Sequence, residues 1–335
     1  MTREKIDRRR LLQAAIGGTV AVSAATLAGP TSALAGSPGH GAAHGVSHGA
    51  PKGRLLPRNK LGIQLFSIRD KVSQLGFRAV FEELSRIGFR EVEFAGYTQN
   101  TAILGRQITV PEIRQLLDDN GLVGAGSHVG LGNFTNPTQR EIEFENAQIL
   151  GLSYVGTANA PTGDNTVAGY RAAADVFNQI GAAAARRRLK FYQHNHAGEF
   201  AFATDQPQVR LYDVFLRHTD PRLVYLEMDI YWAYVGAYRF PGFDPANYVL
   251  ANKSRYPLFH IKDGDTNPDN PNGFDIVEFG AGDLPFADFL RKVNRTGKPY
   301  KPIWEQDTAP NTLPNPPGSF GAAERSFQAM ANLRG

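Results

Sequence analysis

From residue 60 onward, short apolar runs alternate with longer stretches in which apolar residues recur three or four positions apart. Short apolar runs bounded by Gly, Asn and Pro are typical of strands, and the longer spacing is typical of amphipathic helices. Eight strand and helix pairs are predicted: 61–68 with 75–87, 91–94 with 110–120, 122–128 with 138–150, 154–157 with 166–188, 189–194 with 208–217, 223–229 with 245–254, 258–262 with 286–293, and 301–305 with 322–333.

Eight consecutive pairs are the number that closes a parallel barrel, so we predict a single α/β domain, a (β/α)8 TIM barrel, over residues 59–335. The alternative is a doubly wound open sheet. Its dinucleotide-binding form has no support, because no Gly-x-Gly-x-x-Gly motif follows the first strand.

The first 35 residues have the pattern of an export signal. The run Asp7-Arg8-Arg9-Arg10-Leu11-Leu12 resembles the twin-arginine motif, an apolar stretch reaches Leu27, and Ala33-Leu34-Ala35 is typical of a cleavage site. We therefore predict a twin-arginine signal peptide over 1–35, recognition by the twin-arginine export machinery, and a periplasmic or secreted protein. An N-terminal membrane anchor is the alternative, although several Gly, Ser and Thr make the stretch weakly apolar.

Residues 36–58 are predicted to form a flexible linker rich in Gly and His. His40, His44 and His48 could bind a metal, but a flexible spacer is favoured because little there could offset the entropy of ordering.

Charge and cysteine content exclude several classes of protein. The formal net charge is +4, but the first ten residues carry most of the excess, so the remainder is close to neutral and no nucleic acid partner is indicated. The chain has no cysteine, which excludes disulfides, thiolate metal sites and cysteine nucleophiles.

Three predicted strands end on residues that can bind metals. Asp229, His260 and Glu305 each lie where an apolar strand is about to leave the sheet. Singly, they could be a helix cap, a core histidine and an ion-pair partner. In a parallel barrel, however, they would converge at the C-terminal mouth, where such barrels hold their active sites. Two carboxylates and an imidazole predict a site for a divalent metal such as Mn²⁺, Mg²⁺, Zn²⁺ or Co²⁺.

The end of the fifth predicted strand carries a second group of polar residues. His194 and His196 share a face under the strand period, with Asn195 between them and Glu199 close behind. We predict His194 as the fourth metal ligand and His196 and Glu199 as proton carriers or hydroxyl binders. A hydrogen-bonded loop without catalytic function is the alternative.

These segments together resemble the sugar phosphate isomerase/epimerase family of the xylose isomerase-like TIM barrel superfamily. The resemblance extends from about residue 60 to the C-terminus. It rests on the run Leu-Gly-Ile-Gln-Leu-Phe-Ser-Ile-Arg, Glu91-Val92-Glu93-Phe94, Gly126-Ser127-His128, His194-Asn195-His196 with Glu199-Phe200, Asp229-Ile230-Tyr231-Trp232, His260-Ile261-Lys262-Asp263, Gly280-Ala281-Gly282-Asp283 and Trp304-Glu305-Gln306-Asp307.

The resemblance implies that Asp229, His260 and Glu305 match three of the four metal ligands of related ketose epimerases. The fourth, a Glu on the fifth strand, is replaced here by Tyr192, Gln193 and His194. Because those epimerases use the fifth- and eighth-strand carboxylates as two bases, the replacement argues against a symmetric epimerisation. AP endonuclease activity is rejected, since the fourth strand offers no histidine.

Weaker signals add candidates. Glu93 and His128 end strands and could line the pocket, or hydrogen-bond within the core. Lys262 could hold a substrate oxygen or steady an enediolate, or pair with Asp263. Trp232, Tyr231 and Phe259 could stack on a sugar, or simply pack.

The segment 280–283 could form an anion nest, but a tight turn is favoured, with Asp283 capping a helix and Pro285 in its first turn.

The expected function is a metal-dependent sugar or keto-sugar isomerase or epimerase that removes a proton next to a carbonyl. Glu305 is the expected base, with His194, His196 or Glu199 returning the proton and Lys262 assisting. Glu93, His128, Asn195 and Trp232 are the expected substrate-binding residues. The alternatives are a metal-dependent keto-glycoside lyase or hydratase and a non-catalytic carbohydrate-binding barrel.

Overall fold

The computed structural model describes residues 53–335, so the predicted signal peptide and most of the predicted linker lie outside the described residues. The strands are β1 (Gly62–Gln64), β2 (Glu91–Phe94), β3 (Val123–Ser127), β4 (Tyr154–Thr157), β5 (Lys190–His194), β6 (Val224–Asp229), β7 (Leu258–Ile261), β8 (Asp263–Thr266), β9 (Phe274–Val277) and β10 (Lys301–Trp304). The helices are α1 (Arg69–Ile87), α2 (Val110–Asp119), α3 (Leu131–Thr135), α4 (Pro137–Ile149), α5 (Val167–Arg186), α6 (Leu211–His218), α7 (Ile230–Arg239), α8 (Pro245–Ala251), α9 (Phe286–Asn294) and α10 (Gly318–Asn332).

Eight parallel strands form the barrel. They lie in the order β3-β2-β1-β10-β7-β6-β5-β4. The ring closes between β3 and β4, where His128 pairs with Gly156 and the Val129 N–H donates to the Gly156 carbonyl at 2.8 Å. This closure confirms the predicted (β/α)8 TIM barrel and excludes the alternative, an open doubly wound sheet.

An apolar layer fills the barrel interior below the strand ends. It consists of Ala125, Tyr192, Leu258 and Ile303, all buried. Gly156 makes room for it, because a Cβ at this position would lie 2.6 Å from the Tyr192 ring. The layer forms a floor, and the polar side chains two residues further along the strands, such as His194 after Tyr192 and His260 after Leu258, lie above it on the same interior face.

The first strand is shorter than predicted. It ends at Gln64, and the chain turns into a 3-10 segment, Leu65–Ile68. The Gln64 side chain accepts the Phe66 N–H at 3.1 Å and so stabilises this early turn. Helical turns consequently begin at Arg69, and a kink at Gly76 (φ +80°) interrupts them. The part of α1 beyond this kink, up to Ile87, corresponds to the helix predicted over 75–87.

Besides the short helix α3, a helix and a hairpin were not predicted. Helix α7 follows β6 directly, and the Asp229 carboxylate caps it by accepting the Trp232 N–H at 2.8 Å. The predicted loop after Asp263 is a hairpin, in which β8 pairs antiparallel with β9. Both elements lie at the mouth of the barrel.

The turn predicted at 280–283 is held differently from the expectation. Asp263 accepts the Gly264 and Gly280 N–H groups, each at 2.8 Å, so the chain's own carboxylate occupies this nest of amides. Asp283 accepts the Thr266 hydroxyl at 2.9 Å and does not cap α9, whose N-cap is Pro285. The predicted cap is therefore wrong.

Residues before 59 also belong to the packed domain. Leu56 is buried, the Leu55 N–H donates to the Leu333 carbonyl at 3.1 Å, and Arg54 pairs with Arg334. Residues 53–58 therefore pack on the barrel and are not a flexible linker. Within residues 53–335, no helix has both the length and the hydropathy needed to cross a bilayer.

Candidate active site and metal centre

The C-terminal ends of the barrel strands bring a dense polar cluster together above the apolar floor. Its titratable members are histidines, carboxylates and one lysine, and seven of the ten are buried. They are Glu93, His128, His194, His196, Glu227, Asp229, His260, Lys262, Glu305 and Asp307.

The four predicted metal ligands meet in one place, which we term the outer group: His194, Asp229, His260 and Glu305. Each can offer one ligand atom, and these atoms all lie within 4.8 Å of one another. His260 Nδ1 is 3.0 Å from Glu305 Oε2 and 3.9 Å from Asp229 Oδ2, while His194 Nε2 is 3.8 Å from Asp229 Oδ2. The sequence-based prediction of their convergence is confirmed.

A second set lies deeper, and we term it the inner group: His128, His194, Glu227 and His260. Glu227 Oε2 is 2.8 Å from His128 Nε2 and 3.1 Å from His194 Nδ1. Glu227 Oε1 is 3.3 Å from His260 Nε2. The two groups therefore share His194 and His260.

Glu93 supports the cluster from β2. It is fully buried, and its Oε2 lies 2.6 Å from His260 Nε2. Gln64 Nε2 donates to the same oxygen at 2.9 Å, and the Tyr192 hydroxyl donates to Oε1 at 2.5 Å. With its oxygens engaged in this way, Glu93 holds His260 and does not act as the predicted substrate-binding residue.

Lys262 is the lysine of the cluster and is fully buried. Its Nζ lies 2.7 Å from Glu305, 2.9 Å from Asp307 and 3.0 Å from Asp229. The alternative pairing with Asp263 is wrong, because adjacent strand residues point to opposite faces and Asp263 is engaged by backbone amides.

Burial and the neighbouring charges shift the pKa values of the cluster in opposite directions. Burial raises the pKa of Asp229 to about 6, and the Lys262 ammonium limits the rise. Burial lowers the pKa of His194 far below its usual value, so this imidazole is neutral. Burial also opposes a charge on His260, but Glu227, Glu305 and Glu93 together raise its pKa well above the usual value.

The donor set fits a divalent cation. Glu93, Glu227, Asp229, Glu305 and Asp307 form an excess of carboxylates around the single ammonium of Lys262. Within residues 53–335, Asp229 Oδ2 and Glu227 Oε1 make no well-oriented hydrogen bond, although cationic groups lie nearby. Imidazole nitrogens with carboxylate oxygens suit Zn²⁺, Mn²⁺ or Co²⁺, and Mg²⁺ where oxygen dominates.

A cavity of about 370 Å³ opens above the outer group. Its polar lining includes His128, His194, His196, Glu305 and Asp307. Phe66 and Asn159 form part of its wall. Phe66 is 40% exposed, which leaves one apolar ring available to a ligand.

Several predicted residues have a different place. The Asn195 side chain is fully buried and bonds the Asp229 backbone twice, as donor to its carbonyl and acceptor from its N–H, both at 3.1 Å. Asn195 therefore fixes the end of β6 and does not bind substrate. Glu199 accepts the His196 N–H at 3.0 Å, and it does not line the described cavity. Its predicted role as a proton carrier is not supported.

The aromatic residues expected to stack on a sugar also differ. Tyr231 and Phe259 are buried in the core. Trp232 packs against the His196 ring, with centroids 5.6 Å apart, and is not among the described cavity-lining residues. The aromatic ring in the cavity wall is that of Phe66, which sequence reasoning missed.

Glu227 and Asp307 were also missed as site residues. Both could have been found from the strand period, since Glu227 lies two residues before Asp229 and Asp307 two residues after Glu305. His128 and His196 do line the cavity as expected.

Comparisons with known proteins agree with this architecture. No curated protein matches the chain. A sugar phosphate isomerase/epimerase from Parabacteroides distasonis has a similar structure, with a TM-score of 0.64 and 21% identity over 85% of this chain and 96% of that chain.

Two further solved structures share the fold. A 3-keto-D-glucoside 4-epimerase from E. coli has a TM-score of 0.54 and 14% identity over 81% of this chain and 98% of its own. The IOLI protein with a bound zinc atom has a TM-score of 0.59 and 14% identity over 81% of this chain and 96% of its own.

The family model described as xylose isomerase-like TIM barrel matches residues 81–318, which include β2 to β10 and every residue of the outer group. The chain therefore belongs to the family of xylose isomerase-like TIM barrels.

Proposed function

We propose that the protein is an exported, metal-dependent isomerase or epimerase of a sugar or keto-sugar that moves a proton next to a carbonyl. The observation that carries the proposal is the outer group, in which two imidazoles and two carboxylates converge at the floor of a cavity of sugar size. Membership of the family supports an enzyme acting on a small sugar.

His194, Asp229, His260 and Glu305 would hold the cation. A divalent cation bound there would polarise a carbonyl and make the adjacent C–H more acidic. Asn195 keeps the Asp229 backbone in place, which fixes this ligand relative to β5. Asp229 in addition caps α7, so its position is set from both sides.

Glu305 and His196 are the residues assigned to the proton. Glu305 lines the cavity and its ion pairs hold it ionised, with the Lys262 ammonium 2.7 Å away. Burial lowers the pKa of His196 to about 4, so its imidazole is neutral and one ring nitrogen can accept a proton. Glu305 would remove the proton and His196 would help return it.

The cavity favours an unphosphorylated substrate. Among the described residues that line it, none is Lys or Arg. Arg69 lies behind Phe66 and donates to the Phe66 and Asp307 carbonyls, so its guanidinium is already engaged. A sugar hydroxyl face would pack on Phe66 while polar groups face the imidazoles and carboxylates.

The test is solvent deuterium exchange at a sugar carbon during incubation with a panel of sugars and keto-sugars, combined with elemental analysis. Wild-type protein should contain a divalent metal and exchange label. Asp229→Asn and Glu305→Gln should lose exchange, whereas Glu143→Gln, a buried glutamate bonded to Asn133, should not. Retention of both metal and exchange in the first two variants would sink the proposal.

A keto-glycoside lyase or hydratase is the second candidate. It is favoured by His194 on β5, because the ketose epimerases that this chain resembles take their two bases from the fifth and eighth barrel strands, and here only the eighth, β10, leads to a carboxylate, Glu305. Loss of a β-substituent needs only one base to remove the proton. An unsaturated product from a keto-glycoside, rather than its epimer, would select this candidate.

The export part of the proposal rests on Arg8 and Arg9. Replacing both by Lys should retain the protein in the cytoplasm of a bacterium with twin-arginine export, and unchanged export would contradict it.

A further inference from the structure

We infer that Glu93 and Glu227 are positioning residues that fix the tautomers of His260 and His194, so that both rings present a nitrogen lone pair to the outer group. The inference rests on the proposed function and deepens it, because it assigns the single position that the cation takes. It also assigns a purpose to Glu227, which the mechanism above does not use.

The two shared histidines use opposite ring nitrogens. His194 turns Nδ1 inward, 3.1 Å from Glu227 Oε2, and Nε2 outward, 3.8 Å from Asp229 Oδ2. His260 turns Nε2 inward, 2.6 Å from Glu93 Oε2, and Nδ1 outward, 3.0 Å from Glu305 Oε2. In both rings the shorter contact is the inward one.

A neutral imidazole has one N–H and one lone pair, and a carboxylate beside one nitrogen draws the proton to that side. Glu93 and Glu227 accept the inward N–H groups. A cation that displaces the outward proton of His260 from its contact with Glu305 would therefore meet the lone pairs of His260 Nδ1 and His194 Nε2. The different nitrogens in the two rings follow from their opposite orientations in the barrel. The two glutamates therefore determine on which side of the rings a cation binds.

The carboxylates of Glu93 and Glu227 are held against rotation. Glu93 receives hydrogen bonds from Gln64 at 2.9 Å and Tyr192 at 2.5 Å. Glu227 Oε2 also lies 2.8 Å from His128 Nε2. Both glutamates are fully buried, so neither can turn to solvent. A cation in the inner group would have to replace these donors and reverse both tautomers, so the inner and outer positions exclude each other.

The decisive measurement uses the wild-type protein loaded with Zn²⁺ and labelled with ¹⁵N histidine. Long-range ¹H–¹⁵N spectra should show His194 protonated at Nδ1 and metal-bound at Nε2, and His260 protonated at Nε2 and metal-bound at Nδ1. The reverse pattern in either ring would overturn the inference while leaving the proposed function standing. Failure of the wild type to bind Zn²⁺ at all would overturn both.

Variants give a second readout, the Zn²⁺ affinity from chelator competition. Glu93→Gln and Glu227→Gln should each weaken binding by about 10- to 100-fold, as expected for partners that orient a ligand. His128→Gln should weaken binding less than Glu227→Gln does, because His128 belongs to the inner group alone and acts on the outer group only through Glu227.

Glu143→Gln is the matched control, since it is also a buried glutamate bonded to one amide side chain. If His128→Gln weakens binding as much as Asp229→Asn does, the cation lies in the inner group and the inference is wrong. Circular dichroism of each variant separates a loss of fold from a loss of affinity.

Discussion

The buried ammonium of Lys262 allows a prediction about the metal-free protein. Replacing Lys262 by Met removes the positive charge that contacts Glu305, Asp307 and Asp229 at 2.7, 2.9 and 3.0 Å. The methionine side chain is of similar length, so the packing changes little. Asp229 and Glu305 would then be buried beside each other, with the partly exposed Asp307 next to them, without this partner.

The expected loss of unfolding free energy follows from these distances. Each contact is worth about 6 kcal/mol at an effective dielectric constant of about 20, and the desolvation of the ammonium offsets much of the total. Removal of one member of a buried ion pair typically costs about 3–5 kcal/mol. At about 2.1 cal/mol/K of unfolding entropy per residue, that loss in a domain of this size corresponds to a fall in Tm of about 5–8 °C.

A divalent cation should reverse the effect, because it would supply positive charge to Asp229 and Glu305 in place of the ammonium. Removal of the competing charge should also tighten Zn²⁺ binding by about tenfold or more, which corresponds to about 1.4 kcal/mol. The assay is thermal unfolding of the Lys262→Met variant with a chelator and with saturating Zn²⁺.

The matched control is Lys301→Met, which removes a partly exposed lysine that pairs with Glu91 alone, at 2.7 Å. This control variant should lose at most about 1 kcal/mol of unfolding free energy. The electrostatic account of the cluster is wrong if the metal-free Lys262 variant loses no more unfolding free energy than this control. It is also wrong if Zn²⁺ increases the difference in Tm between the Lys262 variant and the wild type.

Three further predictions concern residues around the cluster. Burial raises the pKa of Glu199 to about 7, so its ionisation costs stability as the pH rises from the unfolded-state pKa near 4.5 through 7. Glu199→Gln should therefore unfold in urea with about 3 kcal/mol more free energy than the wild type at pH 8, but not at pH 4. A difference that does not depend on pH would contradict this. Asn195→Ala should lower the unfolding free energy by about 1–3 kcal/mol and weaken metal binding, since it removes the side chain that bonds both the buried N–H and the C=O of Asp229. Unchanged urea unfolding would refute this role of Asn195. Phe66→Ala should raise KM about five- to tenfold with kcat within about twofold if the ring only binds substrate, whereas a selective fall in kcat would place Phe66 in the chemistry.

Much of the site could be predicted because its ligands lie at strand ends. Asp229, His260 and Glu305 end consecutive barrel strands in the chain, and a parallel barrel must bring such positions together. The alternation of helix and strand likewise predicted the fold, because a short strand that is apolar on both faces is typically buried in a parallel sheet covered by helices.

Other features depend on the closed three-dimensional structure. Glu227 shares a face with Asp229, but its contact with His128 joins β6 to β3 across the barrel, which no local pattern indicates. Asn195 has the appearance of a substrate-binding residue in sequence, and only the register of β5 against β6 shows that its amide meets the Asp229 backbone. The early end of β1 depends on a side-chain cap by Gln64, which an apolar run conceals.

The packing of residues 53–58 beside Leu333 has a practical consequence. The Gly335 N–H donates to the Gly53 carbonyl at 3.2 Å, next to the segment that leads into the start of β1. In a (β/α)8 fold this is the face remote from the catalytic loops. A tether attached at residue 335 would thus leave the substrate entrance facing solution, and a circularly permuted chain that joins residues 53 and 335 would need only a short connection.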